Sequence, residues 1–563
     1  MKHYLAGKAR SLEDALAVME ARLADMGFTL AQYNWLNPVP GVWSVHVKAV
    51  QCPALFANGK GICREAALAS AYGEFLERLL TGYFYGDYAL PCEQLAYAFV
   101  PNETIRTPEE AWRRLPASLQ QLWSAGEAMT PAKHLPDLSC CHQPIRCVPL
   151  QPMHRAEEAI EVPWNVLMNC YGSNGLCAGN TEREAQIQGL SEIFERWVRQ
   201  QIIQRNLCLP EVPASVWSRS EAVTAAKRAL SNLGIEISIR DASLGEGYPV
   251  IAIILYEVDK GRAFVSFGAH PIMQVAIERT LTEAFQGRRL DDLSVYQPPS
   301  DDLAWVQSWE NLELHFIDAS GQFHWHFFST QADLPWRPWG VELECSLEAQ
   351  WQYLLTCLDR LQQPLYGATY ALEDFYACRL IAPGMSEVFP PWELQENNQN
   401  DGCALRHHLY EFDGSRGWCQ GLMDLMDEQG WAPHQSVAST IGLLAGDASG
   451  WRGEKMIDLQ LRAALALQDD DLVEMLLPQA KQLAQGDRLR EGAWHFISCA
   501  RQGEDLAALA PALRILYGQA ALALGQSMVQ GQAWHGLQLG DALLSDPLHQ
   551  ALIETHPGSR RRI

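Results

Sequence analysis

Two copies of one acidic motif, Glu-x-x-Glu-Arg, are the residues of this sequence best suited to chemistry. Both lie in runs that read as helices, and their charged members are Glu74, Glu77 and Arg78 in the first copy and Glu192, Glu195 and Arg196 in the second. Two acids three residues apart share one helical face, because a helix turns about 100° per residue. Neighbouring carboxylates repel each other, and the commonest chemical reason to keep them is a shared cation. Hard cations such as Mg²⁺ prefer oxygen ligands and bridge to phosphates, so the motif predicts a nucleoside triphosphate site.

The helix of the second motif has an uncompensated acidic face. On a helical wheel one face carries Glu184, Gln188, Glu192 and Glu195. Arg183 is the only basic residue between Thr181 and Glu195, and it points away from that face, which therefore lacks the usual i,i+4 pairing. A single face of this kind is more often a solvated helix surface. The recurrence of the motif favours a cation site over that alternative.

Weaker signals surround the two motifs. A third predicted helix carries Arg279, Glu283 and Gln286. The glycine-rich stretch Gly172–Gly179 precedes the second acidic helix, where backbone N–H groups can approach an anion, although such a stretch is more often only a turn. Lys60 stands between two glycines and is interpreted as a surface lysine. The sequence contains no Walker-type phosphate loop.

Composition limits the function classes. The 563 residues suffice for two or more domains, and 67 acidic against 43 basic residues give a net charge of −24. This charge argues against nonspecific nucleic-acid binding and against an anionic membrane surface. The N-terminus shows no signal peptide, and the 15 cysteines suit free thiols, so a cytoplasmic location is predicted.

The predicted elements indicate an α+β core followed by an all-α region. Within an N-terminal segment 1–35, the pattern predicts an amphipathic helix from about Ser11 to Gly27. Alternating or apolar runs predict strands, and helices are predicted at both acidic motifs and near residues 275–288. The strands lie at Val42–Val47, Ile235–Ile239, Val250–Tyr256 and Ala263–Phe267. Beyond a Gly- and Ser-rich linker near 440–453 the chain is predicted to be almost continuously helical, which sets domains at 1–450 and 451–563.

The two motifs together resemble the ATP-binding signature of the YcaO family. The matching pattern is Ser70-x-x-x-Glu74-x-x-Glu77-Arg78 followed by Gln188-x-x-x-Glu192-x-x-Glu195-Arg196. The resemblance extends over most of the chain through short segments at Leu36–Pro40, Ser173–Gly175, Ala178–Thr181, Phe267–Pro271 and Pro383–Ser386. It implies the family's ATP-binding fold, with ATP and Mg²⁺ as cofactors and a tetratricopeptide-like helical C-terminal domain.

The resemblance also implies roles for individual residues. The Mg²⁺ ligands or their near neighbours would be Glu74, Glu77, Glu184, Glu192, Glu195 and Glu283. The nucleotide contacts would be Lys8, Ala178, Asn180, Gln188, Arg196 and Arg279, with Lys8 taken from a short Gly7-Lys8 match. Arg196 and Arg279 would act catalytically, because a guanidinium stabilises charge on a transferring phosphate.

At the level of function, the resemblance implies an ATP-hydrolysing accessory protein in β-methylthiolation of a small-subunit ribosomal protein. A methylthiotransferase or the ribosomal protein would then bind the C-terminal helices, and a homodimer is implied. The enzymatic alternative is a peptide-amide-activating cyclodehydratase or thioamide synthetase. The tail His556–Ile563 has one proline, whereas azoline-forming members end in a proline-rich tail. The non-enzymatic alternative is a scaffold whose partner affinity ATP controls.

Overall fold

The computed structural model describes residues 2–124, 131–140, 144–155, 157–290, 293, 295–392, 394 and 398–560. The chain divides into two units. One comprises Met1–Phe84, Tyr97–Leu135 and Pro144–Glu396, and the other comprises Tyr85–Ala96, Pro136–Gln143 and Asn397–Ile563. The second unit thus begins well before residue 450, where the composition predicts the boundary. The physical reason is a shared core, in which Leu405 and Leu422 pack with Trp451, Met456 and Leu459.

The described residues of the first unit form three antiparallel sheets. Their orders are β1-β2-β3, β10-β9-β8 and β4-β5-β11-β12-β7, with β6 paired to β5. The strands are β1 (Leu30–Val39), β2 (Val42–Ala49), β3 (Phe56–Gly61), β4 (Thr104–Arg106), β5 (Ile145–Pro152), β6 (Ile160–Pro163), β7 (Leu176–Gly179), β8 (Ile235–Asp241), β9 (Val250–Glu257), β10 (Arg262–Ala269), β11 (Tyr366–Leu372) and β12 (Phe375–Ile381).

The apolar run predicted as a buried strand is β9, at the centre of its sheet. Val250, Ala252 and Ile254 enter one hydrophobic core, while Ile251 and Ile253 enter another. Successive side chains of a strand point to opposite faces, so a strand covered on both faces must be apolar at every position.

Helices of the first unit pack against these sheets. They are α1 (Leu12–Asp25), α2 (Arg64–Leu80), α3 (Pro108–Arg114), α4 (Ala117–Trp123), α5 (Trp164–Val166), α6 (Glu182–Gln204), α7 (Ala214–Trp217), α8 (Glu221–Ser231), α9 (Met273–Ala284), α10 (Leu303–Val306), α11 (Trp309–Ile317) and α12 (Leu347–Leu361). The predicted N-terminal helix is confirmed as α1 but fills only part of segment 1–35. Gly27 has a φ of 70°, and the extended chain of β1 begins at Leu30, so the helix cannot continue.

The second unit is helical throughout its described part, apart from turns and isolated bridges. Its helices are α13 (Gly402–Tyr410), α14 (Arg416–Gln429), α15 (Val437–Thr440), α16 (Met456–Leu467), α17 (Asp470–Leu483), α18 (Arg488–Arg501), α19 (Leu506–Tyr517), α20 (Gln519–Val529), α21 (Pro547–Thr555) and α22 (Pro557–Arg560). From α16 to α20 neighbouring helices are joined by short turns, and α16, α17 and α18 share a core that includes Ile457, Leu476 and Trp494. A tetratricopeptide-like arrangement remains a prediction. Across the described ranges, no helix combines the length and apolar character needed to cross a bilayer.

Candidate functional site

A cavity of about 780 Å³ in the first unit collects the residues that the sequence singles out. Its volume lies within the range of about 300–1,000 Å³ that is usual for small-molecule sites. All twelve predicted site residues line it: Lys8, Glu74, Glu77, Ala178, Asn180, Glu184, Gln188, Glu192, Glu195, Arg196, Arg279 and Glu283. Three helices, α2, α6 and α9, bring together the carboxylates, and the segment before α1 adds Lys8.

Strand β3 approaches α2 closely through its glycines and so turns Lys60 into the cavity. A Cβ on Gly59 would lie 2.5 Å from the amide nitrogen of Ala71, and one on Gly61 would lie 2.6 Å from that of Ala67. Only glycine permits this approach. Because side chains alternate along a strand, Lys60 points away from α2. The interpretation of Lys60 as a surface lysine is therefore wrong, since it lines the cavity and forms an ion pair with Glu283.

Helix α2 contributes the first acidic motif. Glu74 forms an ion pair of 2.5 Å with Arg78, one turn further along. Burial raises the pKa of the Glu77 carboxyl well above its usual value, and the nearby charges of Glu192 and Glu74 add to the effect. A carboxyl with this environment favours its neutral form until a cation compensates its charge.

Helix α6 presents the second motif to the same space. Glu192 forms an ion pair of 2.8 Å with Arg196. The guanidinium of Arg196 also lies 3.9 Å from the ring centroid of Phe316. Nη1 of Arg196 is buried without a hydrogen-bond partner. Burial raises the pKa of Glu195 although Arg199 opposes the shift. An unsatisfied guanidinium nitrogen beside carboxylates is suited to donate a hydrogen bond to an anionic oxygen of a ligand.

Glu184 holds the segment before α1 rather than facing an open space. Its carboxylate accepts hydrogen bonds from Lys8 Nζ at 3.0 Å, from the amide of Ala9 at 2.9 Å and from Asn180 Nδ2 at 3.0 and 3.1 Å. Burial alone would raise the pKa of Glu184, but Lys8 and these hydrogen bonds outweigh burial and lower it. Thr181 caps α6, since its Oγ1 accepts a hydrogen bond from the amide of Glu184 at 3.2 Å, whereas the Glu184 carboxylate does not bond back to Thr181. This carboxylate therefore positions two predicted nucleotide contacts.

Helix α9 closes the site opposite α6. Arg279 donates a hydrogen bond from Nη1 to Oε1 of Gln188 at 2.5 Å, which links the two helices. Burial lowers the pKa of Arg279, while Glu195 and Glu192 favour its charged form. Two predicted nucleotide contacts from distant parts of the chain are thus directly bonded to each other.

The charges that line the cavity are balanced. Its described lining holds eight carboxylate and eight cationic side chains. The acids are Glu74, Glu77, Glu184, Glu192, Glu195, Glu278, Glu283 and Asp318, and the bases are Lys8, Arg10, Lys60, Arg78, Arg196, Arg199, Arg279 and Arg288. Such a lining fits a metal-bound triphosphate, in which oxygen-seeking cations and phosphate oxygens occur together.

The carboxylate oxygens of the cavity are suitable ligands for Mg²⁺, but several of these carboxylates already pair with cationic side chains of the protein. Among the described residues no three His, Cys, Asp or Glu side chains converge closely enough to hold a metal ion as they stand. Glu74, Glu192 and Glu283 are instead turned to Arg78, Arg196 and Lys60. Metal binding by these carboxylates would require that they exchange a protein cation for the ion. The raised pKa of Glu77 and Glu195 shows that the cluster favours additional positive charge.

Sequence reasoning missed three features of the cavity wall. Lys60 could have been found from its two glycine neighbours, and Arg199 from its position three residues after Arg196 on one helical face. Burial, followed by the charges of Arg196, lowers the pKa of Arg199 to about 10. His270 is buried and lines the cavity, and burial, with the charges of Arg279 and Lys8, holds its pKa well below the usual value. No sequence signal distinguishes it.

Comparisons with known proteins agree with the geometry. Residues 58–386 match the family profile described as YcaO cyclodehydratase, ATP- and Mg²⁺-binding, and residues 402–560 match that of the YcaO cyclodehydratase C-terminal domain. The first description confirms ATP and Mg²⁺ as the predicted cofactors. The second match begins near residue 397, where the longest segment of the second unit starts.

Two relatives are similar to the chain over most of its length. The ribosomal protein S12 methylthiotransferase accessory factor YcaO of Escherichia coli strain K12 is 37% identical over 490 residues, which are 84% of this chain and 82% of the relative. An uncharacterized protein of Haemophilus influenzae is 38% identical over 475 residues, 82% of this chain and 80% of the relative.

Solved structures give more distant matches. The YcaO protein of Methanopyrus kandleri bound with AMPPCP and Mg²⁺ matches with a TM-score of 0.41 and 18% identity, over 68% of this chain and 93% of that chain. A heterocyclase in complex with substrate and cofactor matches with a TM-score of 0.44 and 18% identity, over 68% of this chain and 53% of the other.

Proposed function

The chain belongs to the YcaO family, and from this premise we propose that it binds ATP with Mg²⁺ in the cavity of the first unit and hydrolyses the nucleotide. The observation that carries the proposal is the convergence of all twelve predicted site residues on one cavity. They come from segments as distant in sequence as Lys8 and Glu283, so chance clustering does not explain it.

The proposal assigns separate tasks to the acidic and basic side chains. Glu74, Glu77, Glu192, Glu195 and Glu283 would hold Mg²⁺, which when bound supplies positive charge that polarises a phosphoryl oxygen. Arg196 and Arg279 would bind phosphate oxygens and stabilise the charge that grows on them during transfer. Gln188 holds Arg279 in place through their hydrogen bond. Glu184 positions Lys8 and Asn180 beside the nucleotide.

We further propose that this activity serves β-methylthiolation of a small-subunit ribosomal protein. Support comes from the E. coli relative, whose name describes an accessory factor of ribosomal protein S12 methylthiotransferase and whose sequence is aligned over most of both chains. A protein partner, either the methylthiotransferase or the ribosomal protein, would bind the helices of the second unit. A homodimer and a cytoplasmic location are further expectations of this proposal.

Peptide-amide activation is the second candidate, because the matched profile carries the name cyclodehydratase. Phosphate release in the presence of purified partner proteins distinguishes the candidates. Release that depends on a methylthiotransferase or on its ribosomal substrate supports the accessory role. Release that depends on a peptide, with a new azoline or thioamide in the product, supports amide activation. Partner binding without any release supports an ATP-controlled scaffold.

The first test of the proposal is calorimetric titration with a non-hydrolysable ATP analogue, with Mg²⁺ and then with EDTA. We expect binding with Mg²⁺ that disappears with EDTA. Glu192→Gln and Glu195→Gln remove one negative charge each with little change of shape, so both should abolish binding and leave the fold intact, as judged by circular dichroism. Asp471→Asn, at an exposed position of α17, is a matched control and should bind normally. Normal binding by both glutamine variants would refute the metal site.

A further inference from the structure

Among the described residues that line the cavity, Lys60 is the one cation that lies on a strand. It forms an ion pair with Glu283, on a helix far along the chain. Resting on the proposed function, we propose that Lys60 is an internal counter-ion of the carboxylate cluster, paired with Glu283 while the site holds no metal and displaced from it by Mg²⁺. The ammonium group and the metal ion would thus compete for the same carboxylate.

Backbone packing fixes the position of this ammonium group. Gly59 and Gly61 lie so close to α2 that added Cβ atoms would clash with Ala67 and Ala71. The strand is also hydrogen-bonded to β2, where Ser44 pairs with Lys60 in register. With both neighbours pressed on α2, strand alternation leaves Lys60 only the cavity side. Its side chain is 25% exposed and ends at Glu283 on α9.

Charges around the ammonium group support a role as counter-ion. Burial, with the charge of Arg279, lowers the pKa of Lys60 to about 8, while Glu195, Glu74 and Glu192 favour its charged form. Lys60 is therefore close to both acidic motifs as well as to Glu283. A compact charge on a flexible stem can leave one carboxylate without a change of the backbone, unlike a planar guanidinium in a forked pair.

The counter-ion role explains why the carboxylates do not converge as a metal site. Glu283 cannot turn to a metal while it pairs with Lys60, and the absence of a three-ligand group among the described residues follows from such pairing. Binding of Mg²⁺ would free the ammonium group within a cavity that then also contains phosphate oxygens. The charge of Lys60 stays in the cavity after Mg²⁺ displaces the ammonium group from Glu283. The total positive charge of the cavity therefore increases by the charge of the metal ion.

Lys60→Met separates this role from the alternatives, since methionine keeps the length of the stem and removes the charge. We expect the concentration of free Mg²⁺ that half-saturates binding of the ATP analogue to fall about tenfold, because the metal no longer competes with the ammonium group. In EDTA without nucleotide, the midpoint of thermal unfolding should fall, because the carboxylates lose a counter-ion. Lys60→Arg, which keeps the charge, should retain the parental midpoint in EDTA.

Lys48→Met is the matched control. Lys48 lies on the neighbouring strand β2, pairs in register with Phe56, and rests 5.9 Å from the ring centroid of Tyr33 outside the cavity lining. It should leave both measurements unchanged. If Lys60→Met does not fold, Lys60→Gln takes its place in the same measurements.

Two results would overturn the proposal. An unchanged Mg²⁺ requirement in the Lys60 variant would show that metal and ammonium group do not compete, and an increased requirement would make Lys60 a phosphate ligand instead. If the parent protein does not bind the analogue at all, the proposed function fails. The comparison of Lys60→Met with Lys48→Met in EDTA then still decides whether Lys60 is a counter-ion, since it needs no nucleotide.

Discussion

A buried ion network in the second unit leads to a prediction with a defined magnitude. Glu454 is fully buried and forms ion pairs with Arg462 at 2.5 Å and with Arg490 at 2.7 Å. Asp458 lies beside it, also buried, and its two oxygens accept hydrogen bonds from the amide of Lys455 at 2.9 Å and from Nε1 of Trp494 at 3.1 Å. Burial, reinforced by the charge of Glu454, raises the pKa of Asp458 to about 7. At pH values between the ordinary pKa of an aspartate and about 7, the folded unit therefore retains a proton on Asp458 that the unfolded chain releases.

This difference makes stability depend on pH. A raised carboxyl pKa means that the folded state binds more protons than the unfolded state between the two pKa values, so stability falls as pH rises through that window. From pH 5.5 to pH 7 the loss is roughly 1.6 kcal/mol, because the slope of about 1.4 kcal/mol per pH unit decreases as the folded carboxyl itself ionises near pH 7. Glu454 has a lowered pKa, since Arg462 and Arg490 outweigh its burial, and its contribution is lost only at lower pH. In this range Asp458 is thus the member of the network that titrates.

Asp458→Asn should remove the dependence. The amide is neutral at every pH and has one acceptor oxygen, so one hydrogen bond is lost at a constant penalty of about 1 kcal/mol. Relative to the parent, the variant should gain roughly 2 kcal/mol of unfolding free energy between pH 5.5 and pH 8. Amide hydrogen exchange in α16 and α18, corrected for intrinsic exchange at each pH, measures this locally. The same difference between variant and parent at both pH values would refute the reasoning, and Asp471→Asn on the exposed side of α17 should show no pH effect.

Two further predictions concern the first unit. Mg²⁺ with an ATP analogue should raise the thermal unfolding midpoint more at pH 8 than at pH 5.5. The reason is that the metal-free protein loses stability when its buried carboxyls ionise. Equal shifts of the midpoint at both pH values would contradict this. Among the described residues that line the cavity, Glu74, Glu77 and Glu195 are carboxyls whose pKa burial raises. Gly59→Ala should destabilise the protein by about 2 kcal/mol in urea unfolding, because its Cβ would overlap Ala67 and Ala71. Gly73→Ala within α2, where the nearest atom lies 3.9 Å away, should be neutral or stabilising by up to about 1 kcal/mol, and equal effects of the two changes would count against the packing argument.

Local patterns in the sequence predict four of the twelve strands described in the first unit, which are β2, β8, β9 and β10, and the helices that carry the acidic motifs. Buried and half-buried residues alternate along most of β2, and β9 is buried at all but one position, as the residue types predict. Membership of the units does not follow from them. Segments Tyr85–Ala96 and Pro136–Gln143 belong to the second unit, although the sequence around them belongs to the first. The contacts responsible are long-range, such as the bond from Nε2 of His549 to the carbonyl oxygen of Ala89 at 3.1 Å, and a local pattern contains no trace of them.

For the site, the sequence identifies which residues are present but not which atoms are bonded. The acidic motifs are visible as spacing on a helix, and all twelve predicted residues reach the cavity. Glu184 illustrates the limit, because the family resemblance implies that it is a Mg²⁺ ligand or a near neighbour of one, but does not reveal that its oxygens accept hydrogen bonds from Lys8, Ala9 and Asn180. Those donors precede α6 in the chain or lie in another segment, so their approach depends on the whole fold.

The charge balance of the cavity has a consequence for how its ligands bind. ATP without a metal would bring about four negative charges toward eight carboxylates, and Mg²⁺ alone would approach eight cationic side chains. Either ligand alone breaks the pairs that Glu74, Glu192 and Glu283 form with Arg78, Arg196 and Lys60, and leaves one member of each uncompensated. When nucleotide and metal bind together, the metal ion would replace the protein cation beside each carboxylate. Phosphate oxygens would replace the carboxylate beside each protein cation. Every charge is then paired again, so nucleotide and metal should bind with strong positive coupling, each raising the affinity for the other by the same factor.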